Sequence, residues 1–271
     1  MVDIIEAILL GIIQGATEFL PISSSGHLLL IPSLFNLDEP NLNAIAMAHQ
    51  GTLLAVIFYF RHDLWQIISS VYKGIKTRRP FATAHARLGW YIAAGSIPAI
   101  IAGLLFEDIL EKVLTNPSIE AVLLICTAAI LVLGERALKG GKTLSTMALP
   151  DAMVIGLAQA LALLPGISRS GVTMSTGLGR SFDRSTAARF SFLLGVPVIA
   201  GAGLLAALEL AQAPDIGDQL GYLVATFITA FIVGYLCIYF LLKWVRQHSL
   251  YIFAVYCALA GSLYLLIEWI R

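Results

Sequence analysis

Long apolar runs alternate with short polar turns along this chain. Six runs lie near residues 42–60, 88–106, 119–134, 187–211, 220–242 and 250–270. Each approaches or exceeds the roughly 20 residues a helix needs to cross the hydrocarbon core of a bilayer. The third is short, and its true ends are expected to lie wider. Two further segments, 2–34 and 152–179, break the pattern. Each opens as an apolar helix too short to span, then stops at a Pro/Gly/Ser cluster: FLPISSSGH in one, LLPGISRSG in the other. A helix that ends at mid-depth and turns back predicts a re-entrant hairpin. Irregular backbone at that depth is tolerated only inside protein or along a wet cavity.

Composition agrees. The 271 residues are 58% hydrophobic and 13% charged, against about 25% charged in soluble domains. Mean hydropathy is +0.85. The chain therefore reads as an integral membrane protein in contact with membrane lipids. The formal net charge is zero, and no nucleic-acid partner is expected. MVDIIEAILL carries no basic n-region and an early Asp3, so a cleaved signal peptide is not expected. Cys126, Cys237 and Cys257 all fall in apolar runs without metal or redox spacing, which assigns them to packing.

Charge distribution sets the sides. The 61–87 loop holds Arg61, Lys73, Lys76, Arg78, Arg79 and Arg87, and the 135–150 loop holds Arg136, Lys139 and Lys142. Arg180, Arg184 and Arg189 follow the second hairpin, and Lys243 and Arg246 lie before the last run. Together these are 14 of the 17 basic residues. Six spans and two hairpins place every one of these loops on the cytoplasmic face and both termini outside. The opposite face has Lys112 and Arg271 with acids Asp38, Glu39, Glu107, Asp108, Glu111, Glu209, Asp215 and Asp218. One basic residue is left over: Arg169, inside the second hairpin.

The two hairpin segments also resemble each other. At an offset of 145 positions, Gly11, Gln14, Ser23, Ser25 and Gly26 match Gly156, Gln159, Ser168, Ser170 and Gly171. Three spans follow each hairpin, and the charge-derived sides make the hairpins enter from opposite faces. The expected fold is an all-α polytopic membrane protein with an inverted repeat. Each half is a re-entrant helical hairpin plus three transmembrane helices. The chain forms a single membrane domain, with repeat 1 at about 1–135, a cytoplasmic linker at 136–150 and repeat 2 at about 151–271. Such repeats place a site at their interface near mid-membrane.

The chemistry concentrates at the two tips. Gln14 and Glu18, spaced i, i+4, share a helix face. Ser23, Ser24, Ser25, Gly26 and His27 follow. Ionisable residues within a membrane cost about 2.5–3.5 kcal/mol each on insertion scales, which marks them as functional candidates. In the second tip Ser168, Arg169, Ser170 and Thr173 surround Gly166 and Gly171. Glycine lets backbone approach a ligand closely. Hydroxyls, helix-start N–H groups and a guanidinium together make an anion site. Arginine suits bidentate phosphate binding, although the spacing is also compatible with sulfate or carboxylate. A structural Arg169–Glu18 pair is the plainer alternative, and it too brings the tips together. His49 and Gln50, early in the first full span, are candidates to line the same cavity. His62, His85 and His248 lie in or beside basic turns and read as solvated.

QGATEFLPISSSGH resembles the first signature of the bacterial undecaprenyl-pyrophosphate phosphatase family, also called the bacitracin-resistance protein family. PGISRSGVT resembles its second. Length, both motifs, their order and the distribution of spans agree over essentially the whole chain. The first signature position is Gln14 here, which leaves Glu18 as that motif's one carboxylate.

The resemblance implies hydrolysis of undecaprenyl pyrophosphate to undecaprenyl phosphate and inorganic phosphate. That reaction recycles the lipid carrier for peptidoglycan synthesis and confers bacitracin resistance. It implies a polyprenyl pyrophosphate lipid substrate, a divalent cation (Mg²⁺ or Ca²⁺), and a site in the bacterial inner membrane open to the outer face. By motif position Ser24 is the favoured nucleophile, with His27 as general base or acid. Arg169 would clamp the phosphates. Ser23, Ser25, Ser168, Ser170 and Thr173, with Gly166 and Gly171, would surround phosphate oxygens. Glu18 with Gln14 would hold the cation or orient His27. Phosphoserine, phosphohistidine and direct attack by water all remain open at this point. A homodimer is compatible with this organisation.

The main rival is a secondary transporter or flippase of polyprenyl phosphate or another anion, since inverted repeats recur there. A membrane phosphatase related to the phosphatidic acid phosphatases is a weaker one. That family needs Ser-Arg and then, after five intervening residues, a histidine. Ser175 stands in that place, and no histidine occurs between His85 and His248.

Overall fold

The computed structural model describes residues 4–35, 40–106, 116–210 and 216–271, with the side chains of 206–210 and 216–218 outside the description. The first hairpin is α1 (Ile4–Phe19) and α2 (Ser24–Phe35), and the second is α7 (Leu149–Leu161) and α8 (Arg169–Gly179). The long helices are α3 (Leu42–Tyr59), α5 (Ala84–Leu105), α6 (Pro117–Ala137), α9 (Arg184–Leu210), α10 (Ile216–Trp244) and α11 (Tyr251–Ile270). All six are long and apolar enough to cross a membrane. The third is wider than its apolar run, as expected. Asp38, Glu39, Glu107, Asp108, Glu111, Lys112 and Asp215 lie outside the described residues, as do the side chains of Glu209 and Asp218.

The 61–87 segment differs from the expected loop. Residues Arg61–Lys76 form a further helix, α4, and the next span begins at Ala84 rather than 88. Thr83 caps that span by accepting from Ala86 N at 3.1 Å. The basic residues of α4 mask an amphipathic period that an apolar-run search passes over.

Local signals explain where the helices start. Asn41 accepts from Ala44 N at 2.7 Å to cap α3. Asn116 accepts from Ile119 N at 3.2 Å, and Pro117 opens α6. Asp183 accepts from Thr186 N at 2.8 Å at the start of α9.

Packing then brings the hairpins inward. α1 lies along α10, which also packs on α3, and α7 lies along α5. α6 packs on α11 and α8, while α9 runs against α3 and α8. Glycine makes the closest of these approaches. A Cβ at Gly11 would come within 2.7 Å of Thr226 O, and one at Gly156 within 2.1 Å of Gly95 O. Small residues at helix contacts are how membrane helices gain packing without a hydrophobic driving force between them. Beneath the first tip, Phe19 meets Phe192 of α9 edge-on at 5.3 Å between centroids.

Several basic residues that set the sides also bind acids. Glu135 takes Arg184 Nε at 2.8 Å and Leu250 N at 2.7 Å, joining α6, α9 and the start of α11. Buried Asp151 takes Lys142 Nζ at 3.0 Å and Arg180 Nε at 2.9 Å. Arg189 reaches Asp63 of α4 at 2.7 Å. These pairs fix the end of the bundle opposite the site.

Candidate active site

The hairpin turns are built differently and meet. After α1 ends at Phe19, Ser23 adopts φ 70°, and its hydroxyl accepts from Gly26 N at 3.3 Å to start α2. In the second hairpin Gly166 takes φ 83°, and a Cβ there would lie 2.5 Å from Glu120 O. Only glycine meets both demands. Ser168 then caps α8 by accepting from Gly171 N at 3.1 Å. Thr127 of α6 pins this turn, donating to Gly166 O at 3.1 Å and accepting from Ser168 N at 3.0 Å. Two bonds tie turn to turn: Gly166 N to Ser25 Oγ and Ser170 Oγ to Leu20 O, each 3.2 Å.

A cavity of about 480 Å³ opens beside these turns. Glu18, Ser24, His49 and Arg169 line its polar end, and Ile45, Val198, Ile199 and Leu163 contribute to its apolar wall. Ser24 and Arg169 are the first residues of α2 and α8. Both half-helices therefore start at the cavity wall, where free N–H groups and the positive dipole end favour an anion.

Glu18 is the hub. Its Oε1 accepts from Arg169 Nη2 at 2.8 Å. Its Oε2 accepts from Ser24 Oγ at 2.7 Å and from Gln14 Nε2 at 3.0 Å, with His49 Nε2 at 3.9 Å. The structural Arg169–Glu18 pair is thus present, and it borders the cavity rather than being sealed away from it. Gly195 of α9 makes room for the guanidinium: a Cβ there would lie 2.1 Å from Arg169 Nη1. Arg169 Nη1 also donates to Ser191 O at 3.4 Å.

Some expected site residues are elsewhere. His27 faces the other side of the hairpin, in an apolar crevice with Ile31 and Phe253. Its Nδ1 lies 2.7 Å from Ser23 O, and its Nε2 lies 2.7 Å from Tyr256 Oη. A carbonyl only accepts, so Nδ1 carries the proton and Nε2 accepts from the tyrosine. Both ring nitrogens are occupied, and neither touches Ser24. The imidazole on the cavity belongs to His49, whose Nδ1 donates to Ile45 O at 2.9 Å and leaves Nε2 facing Glu18.

Ser170 and Thr173 are each 1% exposed and do not line the cavity. The Thr173 hydroxyl meets Arg169 O at 2.7 Å and Ser191 Oγ at 2.6 Å. Gly166 and Gly171 shape the turn without reaching the cavity, whereas Ser23, Ser25 and Ser168 do line it. Gln50 lines the cavity as expected. Thr127, Ser191, Gly195 and Tyr256 carry no signal in the sequence because each is an isolated small or aromatic residue in an apolar helix.

For a divalent cation the donor set is lean. Among the described residues no three of His, Cys, Asp and Glu stand close enough to hold a metal. Among the described residues Glu18 is the one carboxylate on the cavity. Gln14 lies fully buried behind it, its Oε1 without a partner among the described residues, and turns its amide nitrogen toward Glu18. Mg²⁺ is commonly bound by one or two carboxylates plus substrate phosphates. The residues fit a cation that enters with a diphosphate and takes Glu18 as its protein ligand.

The family model for "Bacitracin resistance protein BacA" matches residues 7–263. The chain belongs to that family. An undecaprenyl-diphosphatase of Chlorobium phaeovibrioides is 45% identical, covering 97% of this chain and 96% of its own length. One of Desulforudis audaxviator is 42% identical with 98% of each chain covered. One of Chlorobaculum tepidum is 44% identical, covering 96% of this chain and 95% of its own. The two motifs that carry the resemblance, QGATEFLPISSSGH and PGISRSGVT, lie within the matched residues and form the two turns that meet beside Glu18.

Proposed function

We propose that this cavity hydrolyses undecaprenyl pyrophosphate to undecaprenyl phosphate and inorganic phosphate. The observation that carries the reading is the Glu18 carboxylate bridging Ser24 and Arg169 at the start of two half-helices. The names of the BacA relatives speak for bond cleavage rather than for transport. The diphosphate sits at the polar end and the polyprenyl chain runs along the apolar wall toward lipid. Arg169 transfers from Glu18 to the phosphate oxygens and frees the carboxylate. Ser24 Oγ attacks the terminal phosphorus while its proton passes to Glu18 Oε2. The phosphoanhydride bond breaks, undecaprenyl phosphate leaves, and a phosphoserine remains. Water then attacks that phosphorus as the P–O bond to Ser24 breaks and Glu18 Oε2 returns its proton to the serine oxygen, giving inorganic phosphate and restoring the Ser24 hydroxyl and the Glu18 carboxylate. The helix starts and Arg169 stabilise charge on the transferring group. A divalent cation, when bound, would neutralise further diphosphate charge beside Glu18. His27 holds the turn through Ser23 rather than acting on the nucleophile.

The two halves are read as an inverted repeat, and matched bonds support this. Ser23 and Ser168 each accept from the N–H three residues on, and each meets the hydroxyl two residues on, at 3.2 and 3.1 Å. Thr127 of the third span of one half bonds Gly166 O. Cys257 of the third span of the other bonds Pro21 O at 3.7 Å, the position matching Gly166. The charge-derived sides support a reading in which the basic loops lie in the cytoplasm and the cavity mouth opens to the outer face of the inner membrane.

The test is phosphate release from polyprenyl pyrophosphate by purified protein in detergent, with Mg²⁺, Ca²⁺ or EDTA. Metal-dependent release by the wild type, lost in Ser24→Ala and Glu18→Gln, is expected. A folded wild type that releases no phosphate under any of these conditions overturns the reading.

A further inference from the structure

Helix α4 stands apart from the catalytic machinery and from the span count. It follows α3 after Phe60 and packs on the first turns of α5, where Ile67 and Val71 crowd Gly89. At 100° per residue, three faces separate. Ile67 and Gly74 are buried against protein, with Leu64 and Val71 partly so. Trp65, Ile68, Tyr72 and Ile75 form an adjacent stripe, and each is more than half exposed. Gln66, Ser69, Lys73 and Lys76 occupy the remaining face. Only part of the apolar surface of α4 is covered by the protein.

The charge beside that bare stripe is of one sign. Lys73, Lys76, Arg78 and Arg79 are all exposed. None of these four makes an ion pair among the described residues. The one acid between residues 61 and 106 is Asp63, and it is taken by Arg189. Lys76 lies at the edge of the polar face that borders the stripe, with Lys73 further round the same face. Trp and Tyr favour the membrane–water boundary, and basic side chains there snorkel to headgroups.

We propose that α4 lies in the plane of the membrane surface and binds anionic phospholipid. In that arrangement Trp65, Ile68, Tyr72 and Ile75 enter the acyl boundary, and Lys73, Lys76, Arg78 and Arg79 gather negative headgroups. A helix with a charged face, an aromatic-bearing apolar face and low net hydrophobicity is the form that lies on a bilayer rather than across it. Basic residues near an anionic leaflet enrich its charged lipids. Asp63–Arg189 connects α4 to α9, which forms part of the cavity wall.

The test reads Trp65 directly. The full chain is reconstituted in bilayers holding equal mole fractions of brominated phosphatidylglycerol or brominated phosphatidylcholine, and tryptophan quenching is compared with that of Trp65→Phe. The expected result is a Trp65-dependent component quenched more by the anionic lipid. That excess should vanish in Lys73→Gln/Lys76→Gln/Arg78→Gln/Arg79→Gln and shrink in the wild type as salt rises. A Lys243→Gln/Arg246→Gln control should keep it. Equal quenching by both lipids, no Trp65-dependent quenching, or equal loss in the control overturns the proposal. If the fourfold variant does not fold, the lipid comparison and salt series on the wild type decide alone, with a salt-insensitive excess counting against it.

Discussion

Ser24 and Arg169 occupy matching places, each the first residue of the second half-helix of its hairpin, and both bond Glu18. One carboxylate thereby holds a hydroxyl and a guanidinium from opposite halves at the edge of one cavity. On the proposed reading, the Arg169–Glu18 pair present in the structure is the resting form of the same groups that act on the diphosphate. Without substrate, Glu18 neutralises Arg169. With a diphosphate in place, the guanidinium has a better anion and the carboxylate a proton to accept.

Removing the carboxylate charge should therefore affect chemistry more than substrate affinity. Glu18→Gln is expected to lower kcat by about 10²–10⁴-fold, the usual range for a lost general base. Ser24→Ala should lose at least as much while leaving Tm near wild type, because Ser24 lies at the cavity edge. Phosphate release and thermal unfolding in the same detergent check both.

His27 should behave differently. Its ring spans Ser23 O and Tyr256 Oη, so His27→Ala removes one buried and one part-buried hydrogen bond, each contributing about 1 kcal/mol. Activity and Tm should fall together. Tyr256→Phe should reproduce part of both losses although Tyr256 does not line the cavity. A His27→Ala protein that is inactive with an unchanged Tm would return the imidazole to the chemistry.

Much of this is legible in the sequence, and the parts that are not share a cause. Apolar runs and Pro/Gly/Ser breaks locate six spans and two hairpins, because the bilayer imposes length and the broken helices leave polar turns. Side chains within a turn are harder. SSSGH places Ser24 and His27 three residues apart, yet Ser24 bonds Glu18 on the cavity while Ser23 O and Tyr256 Oη hold the His27 ring in the crevice on the other side. His49 lies 31 positions from Glu18, and only the packing of α3 brings them near. Helix α4 escapes an apolar count because its lysines and arginines interrupt the run while leaving the 3.6-residue period intact.

Arg169→Ala should cost stability as well as activity. It leaves Glu18 buried without its counter-charge, which typically costs about 3–5 kcal/mol. Adding Glu18→Gln should recover most of that loss while activity stays absent. Unfolding measured across the double-mutant cycle checks this, and additive losses would show that the two groups are not coupled.

Gly195 and Gly156 should separate function from folding. At Gly195 the atom a methyl would strike is the far end of the Arg169 side chain, which can move. Gly195→Ala should therefore keep the fold, displace the guanidinium and raise KM for the diphosphate. At Gly156 the obstacle is the backbone of Gly95, which cannot move without parting α7 from α5. Gly156→Ala should lower Tm, at the cost of about 1–3 kcal/mol usual for overpacking. Gly201, where an added methyl would meet nothing within 4 Å, serves as the neutral control.

Cation binding should depend on the diphosphate. Among the described residues one carboxylate lines the cavity, and both its oxygens are engaged by Arg169, Ser24 and Gln14. A cation binding alone would have to displace or sit beside a guanidinium, which opposes it. With a diphosphate present, on the proposed reading, Arg169 pairs with the phosphates, and Glu18 together with diphosphate oxygens would hold the cation. Titration calorimetry should thus find no Mg²⁺ binding to the protein alone and clear binding once a non-hydrolysable polyprenyl diphosphate analogue saturates the cavity. Glu18→Gln should weaken that second event without abolishing it, since most ligands come from the substrate and water. Tight Mg²⁺ binding to the unliganded protein would require a ligand set other than the one around Glu18.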